Sequence, residues 1–320
     1  MIGILLTNTG TPGSPSPRAV WHYLREFLSD KRIVQLPQWL WQPLLYAVIL
    51  PSRSLYSANL YKKIWTKEGS PLRHGMESIV ARLQEAYNDD ITVVVGMHYG
   101  QPSIESALDY LRKKQVERIF VLPLYPQYSQ TTTASTFDKV SDALRSWSVV
   151  PEIRMIREYA SHPAYIQALA QQIKNSLKNH HEPSYLLLSF HGLPKRYADK
   201  GDPYPTYCKT TAELLAQELN LAPHEWSFSF QSRTGYAEWL KPYTQAVLES
   251  LPQRGIKHVT VVCPGFPVDC LETLEEVAIR CKERFMQAGG LFFHYIPALN
   301  DSPLQIQLLT TIINQQLQGW

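Results

Sequence analysis

The chain is poor in cysteine: Cys208, Cys263, Cys270 and Cys281 are the only four in 320 residues, and no two form a Cys-x-x-Cys pair. That spacing argues against a zinc knuckle and a disulfide framework. It fits a reducing compartment, in which isolated cysteines behave as small buried hydrophobes. The chain also lacks an excess of charge of one sign, with a formal net charge of +3. No basic arm or helical run of Lys and Arg is present, so nucleic acid is not an expected partner. The opening Met1-Ile2-Gly3-Ile4-Leu5-Leu6 has no positive leader and reads as a strand, which points to the cytoplasm. No Gly-x-Gly-x-x-Gly follows it and no Walker sequence occurs, which weighs against a nucleotide-dependent oxidoreductase.

What the chain has in excess is one aromatic, apolar stretch. Trp39, Leu40, Trp41, Leu44, Leu45, Tyr46, Val48, Ile49 and Leu50 crowd between Leu36 and Pro51. Gln38, Gln42 and Pro43 break it, and it is too short to span a bilayer. Two readings stand: a core helix, or an apolar lip lying on a membrane surface or an apolar ligand.

The chain also reads twice. Leu5-Leu6-Thr7-Asn8-Thr9-Gly10-Thr11-Pro12 matches Leu187-Leu188-Ser189-Phe190-His191-Gly192-Leu193-Pro194 in pattern. Val121-Leu122-Pro123-Leu124-Tyr125-Pro126 matches Val262-Cys263-Pro264-Gly265-Phe266-Pro267, and the Ile156 to Ile166 stretch matches Ile296 to Ile306. The first half carries extra chain before Pro123, and the aromatic stretch lies in that excess. Apolar runs at Ile91 to Met97, Arg118 to Leu122, Tyr185 to Phe190 and His258 to Cys263 alternate with helical patterning. Such alternation means parallel sheets covered by helices. The expected fold is α/β: two doubly wound, Rossmann-like domains related by pseudo-two-fold symmetry, with ligands in the cleft between them. The expected divisions are an N-terminal domain over 1–163 with the lip inserted at about 36–75, a second domain over 164–300, and a C-terminal helix, 301–320, packing across both.

Two groups could carry chemistry. His191 ends an apolar strand and is followed by glycine and proline; it is either a turn histidine or a proton acceptor or metal ligand. Asp269 and Glu272 have the spacing of a capping box. Glu272 and Glu276 share a helix face, however, and clustered carboxylates at a strand edge can accept protons or collect a cation. On the helix after Asp269, Leu271, Leu274, Ala278, Cys281 and Phe285 form the expected apolar stripe. The hydroxyl-rich run Ser129 to Ser135 is expected to cap a helix start.

The sequence closely resembles the ferrochelatases, which insert ferrous iron into a porphyrin. The resemblance rests on LLTNTGTP from Leu5, FLSDKRIV from Phe27, EGSPL from Glu68, LPLYPQYS from Leu122, SFHGLPKRYADKGDPYPTYC from Ser189, FQSRTGYAEWLKPYT from Phe230 and CPGFPVDCLETLEE from Cys263. It implies a chelatase-like fold and a lyase acting on protoporphyrin IX to form protohaem. Coproporphyrin as substrate, or a non-catalytic tetrapyrrole or metal carrier, are the alternatives. The apolar lip favours the less carboxylated porphyrin. The resemblance assigns His191 and Glu272 as the proton-accepting, metal-handling pair, with Asp269 and Glu276 as acidic positions leading away. It places Tyr99, Gln231, Ser232 and Trp239 around the porphyrin and Thr9 on its opposite face; His98 and Tyr125 join them as substrate-binding candidates. It further implies that the 36–51 lip touches the inner membrane surface and that an upstream haem-pathway enzyme is a partner. Iron is then a substrate and no cofactor is permanently bound.

Three positions depart from the family pattern. His98 stands where arginine is usual, which offers a mostly neutral ring or a second metal-binding imidazole. Arg280 replaces an acidic residue of some relatives, shortening any acidic relay. The chain ends Gln318-Gly319-Trp320 without a cysteine tail, so no iron–sulfur cluster is expected.

Overall fold

The computed structural model describes residues 1–178, 184–235 and 237–320. Two compact units emerge. The first holds Met1–Tyr125, Ser129–Arg157 and Leu309–Trp320; the second holds Pro126–Tyr128 and Glu158–Leu308.

In the first unit, β1 (Ile2–Gly10), β2 (Ile91–Tyr99), β3 (Arg118–Pro123) and β4 (Glu152–Met155) form a parallel sheet ordered β2-β1-β3-β4. In the second, β5 (Tyr185–His191), β6 (Trp226–Gln231), β7 (His258–Val262) and β8 (Phe292–Tyr295) are parallel in the order β6-β5-β7-β8. Each sheet thus places its first strand second from the edge, as the internal repeat predicts. The strands are near-continuous apolar runs because helices cover both faces. Leu5, Ile119 and Val121 pack with Leu108 and Leu111 in one unit, and Leu187, Val259 and Val261 with Leu248 and Phe285 in the other.

The repeated x-Gly-x-Pro has a packing cause. A Cβ on Gly10 would collide with the Tyr99 carbonyl oxygen, and a Cβ on Gly192 with that of Gln231. Tyr99 and Gln231 are the last residues of β2 and β6, the strands beside β1 and β5. Each glycine lets the chain leave its strand against the neighbour's end, and Gly10 does so at φ +97°.

The second half departs from α-helical expectation after Asp269. Glu272–Cys281 is a π-helix, continued by the α-helix Lys282–Gln287. Thr273, Val277, Cys281 and Phe285 are its buried face, while Leu271, Leu274 and Ala278 are only partly buried. The wider turn rotates Leu271, Leu274 and Ala278 off the core, keeps Cys281 and Phe285 of the expected stripe inside, and brings every fourth residue inward. The carboxylate of Asp269 does not cap this helix either, because the helix start carries no side-chain cap.

The aromatic stretch forms the helix Gln38–Leu44, a π-turn at Leu45–Ile49 and the helix Leu50–Ile64. It is not a core helix. Gln38–Leu44 buries no residue, and Trp39 is 75% exposed. Leu40, Leu44, Tyr46, Val48, Leu55 and Tyr56 are exposed with it, while Leu45 and Leu50 anchor the segment inside. The Trp41 indole donates to the Leu28 carbonyl at 2.7 Å and fixes the start. Among the described residues no helix is long and apolar enough to cross a membrane.

Candidate active site

In the second unit, β5 delivers His191 to the carboxyl edge of the sheet, half-buried. Its Nδ1 lies 2.7 Å from the Gly192 carbonyl oxygen. A carbonyl can only accept, so Nδ1 carries the proton and Nε2 offers its lone pair. Tyr204 holds the other side by donating to the His191 carbonyl at 3.0 Å.

β6 ends beside it at Gln231, paired in register with His191. The Gln231 side chain accepts from Ser189 Oγ at 2.6 Å and donates to the backbone carbonyl of Glu272 at 2.8 Å. One amide therefore links the strand of His191 to the first turn of the π-helix. The next residue, Ser232, sits at φ +65° and donates both its N–H and its hydroxyl to the Glu276 carboxylate, at 2.7 and 2.6 Å. Trp239 bridges to Pro194, and its buried indole N–H finds no acceptor among the described residues.

Asp269 is buried and saturated. Its carboxylate accepts from Tyr295 OH at 2.6 Å, Thr273 Oγ1 at 2.8 Å, Asn300 Nδ2 at 2.8 Å and the Ala298 N–H at 3.3 Å. That arrangement anchors the chain entering the π-helix. Burial, with the Glu272 charge beside it, pushes the Cys270 thiol well up. Farther along, the Arg280 guanidinium meets the buried carboxylate of Glu275 at 3.0 Å.

In the first unit, β1 presents Thr9, whose hydroxyl is 2.9 Å from that of Tyr125. β2 presents His98 and Tyr99. Burial, helped by the Lys139 charge, pushes His98 down to about 3. Its Nε2 is 2.6 Å from Thr136 Oγ1, and that hydroxyl donates onward to the Thr132 carbonyl at 3.2 Å. That ring nitrogen is engaged with the Thr136 hydroxyl inside the unit. His98 is thus a neutral ring held edge-on to Tyr99 and Tyr125. Among the described residues no three His, Cys, Asp or Glu side chains gather as a metal cage.

Tyr99 donates to Asp30 at 2.7 Å, as does Ser135, and Arg32 N–H takes the other carboxylate oxygen at 2.7 Å. Burial works to raise the Asp30 carboxyl, but these donors and the Lys139 charge hold it below its ordinary value. The Lys139 ammonium lies 4.8 Å from the Tyr99 ring centre. Sequence reasoning missed Asp30, Ser135, Thr136 and Lys139 as members of this cluster. Asp30 lies in the FLSDKRIV run and Ser135 closes the hydroxyl-rich run, while Thr136 and Lys139 carried no signal in the sequence. Ser129 caps the helical turn that follows, as expected, by accepting from Thr131 N–H at 3.1 Å.

The ferrochelatase family model matches residues 1–317. The chain belongs to the ferrochelatase family. It is 49% identical to ferrochelatase 1 of Shewanella oneidensis over 99% of this chain and 96% of that one. It is 48% identical to the ferrochelatase of Photobacterium profundum over 99% and 98%. Among solved structures, SirB from Bacillus subtilis with Fe3+ aligns at a TM-score of 0.62 and 11% identity, over 99% of this chain and 96% of that one. That likeness is one of fold.

Proposed function

We propose that this protein is a lyase that inserts ferrous iron into protoporphyrin IX and forms protohaem, the last step of haem biosynthesis. The observation that carries the proposal is His191 at the end of β5, tied through Gln231 to the Glu272 turn of the π-helix, in a chain of this family. The free-base porphyrin must lose two N–H protons as iron binds its four nitrogens. His191 Nε2 accepts a proton, and the imidazolium stays oriented because Nδ1–H keeps its bond to Gly192. Glu272 is the partner carboxylate, receiving the second proton or steering the cation toward the ring. In the first unit Thr9 and Tyr125 offer neutral hydroxyls to a substrate, with His98 packed against Tyr125 and Tyr99 against His98, and in the second Trp239 offers an indole donor.

The exposed lip is the proposed contact with the cytoplasmic face of the inner membrane, where an apolar porphyrin partitions and an upstream enzyme can pass it on. Iron enters as a substrate.

The test mixes purified protein anaerobically with protoporphyrin and ferrous or zinc ion and follows the free-base spectrum. Catalytic loss of that spectrum is expected. Stoichiometric binding without turnover would make the protein a carrier, and a strong preference for coproporphyrin would overturn the substrate assignment.

A further inference from the structure

We infer that Ser232 and Glu276 are a positioning pair, a clamp that sets the π-helix against the strand of His191, and that Glu276 is not a relay for protons or metal. The inference deepens the proposed iron insertion and borrows its kinetic readout from it.

Four observations carry it. First, both Glu276 oxygens are engaged by one residue, through Ser232 N–H at 2.7 Å and Oγ at 2.6 Å. A cation or transferring proton at Glu276 would compete with a charge-assisted pair for the same two oxygens. Second, Ser232 holds φ +65°. Glycine adopts that conformation freely, so a serine here bears backbone strain that its hydroxyl contact offsets. Third, the clamp is one of two ties spaced like the π-helix turn. Gln231 grips the Glu272 carbonyl at 2.8 Å, Ser232 grips Glu276, and the Gln231 carbonyl accepts from Gly192 N–H at 2.8 Å. His191 and Glu272 are thereby indexed to one another through Gly192, Gln231 and Ser232. Fourth, the cavity beside the clamp, about 300 Å³, is lined by Arg233, Arg280 and Arg284 together with Glu249 and Glu276. A divalent cation stationed there would meet three guanidinium groups.

The test uses the full chain. In ligand-free protein, the Ser232 amide should exchange with solvent faster in Glu276→Ala and stay protected in Glu276→Gln, whose amide can still accept from N–H and donate to Oγ. Unchanged exchange in Glu276→Ala would overturn the clamp whatever the activity. In metal insertion, Glu276→Ala and Ser232→Ala should each lower kcat about tenfold with KM for the metal unchanged. Glu276→Gln should restore most of the rate, and the Ser232→Ala/Glu276→Ala double variant should be no worse than Glu276→Ala. Glu276→Gln as slow as Glu276→Ala, with Ser232→Ala at the wild-type rate, would instead make the charge of Glu276 the working part. Should Glu276→Ala fail to fold, the Glu276→Gln and Ser232→Ala comparison decides alone.

Discussion

His191 gives its Nδ1 proton to the carbonyl of Gly192, the next residue in the chain, at 2.7 Å. The ring is thus oriented by a backbone acceptor and packs near the Phe266 ring. Replacing His191 with Ala should lower the insertion rate by about 10²–10⁴, the usual contribution of a positioned proton acceptor. Porphyrin affinity, measured by fluorescence titration, should change little. A rate within twofold of wild type would remove the histidine from the mechanism.

His98 titrates in the opposite sense to a surface histidine. Its native value is lowered from 6.5 to about 3. Between those values the unfolded chain binds a proton that the native protein refuses, so stability falls as pH drops below about 6.5 and is undiminished by this residue above it. Urea unfolding midpoints should therefore decline from pH 7 to pH 5. His98→Gln should flatten that decline, whereas equal slopes in the two proteins would show that other groups cause it.

Asp269 joins β8, the loop at Ala298–Asn300 and the π-helix start through one carboxylate. Asp269→Ala removes a buried acceptor shared by four donors, of which the Thr273 hydroxyl can turn to the Cys270 carbonyl, and should cost about 3 kcal/mol. The measure is denaturant unfolding. A loss below about 0.5 kcal/mol, the range of ordinary surface changes, would deny the anchor.

The lip should separate stability from surface association. Trp39 and Leu40 are exposed, so serine at both should leave the thermal midpoint within about 2 °C. Flotation with anionic lipid vesicles should fall sharply in the same variant. Equal flotation would move the membrane contact elsewhere.

Much of the sheet architecture could be read from the chain because strand patterning and the x-Gly-x-Pro repeat are local. The repeat even marks a shared contact, Gly10 with Tyr99 and Gly192 with Gln231. The π-helix was not legible. Leu271, Leu274 and Ala278 fit an α-helical stripe, and only the widened turn brings Thr273 and Val277 inward instead. His98 was half-legible: its neutrality follows from residue type, but the burial that enforces it and the Thr136 partner come from distant chain. Asp30 and Lys139 lie far apart in sequence and meet only around Tyr99.

The four cysteines have a consequence for the chemical setting of the protein. All are buried and unpaired. Burial pushes Cys208, Cys263 and Cys270 well above their ordinary values and Cys281 up to about 12. Thiolate is the form that peroxide oxidises and that soft metals capture. A protein handling ferrous iron works where oxygen and iron generate oxidants, and this one exposes almost no thiolate to them. Its sulfur is chemically silent, so inactivation during aerobic turnover should leave the cysteines intact.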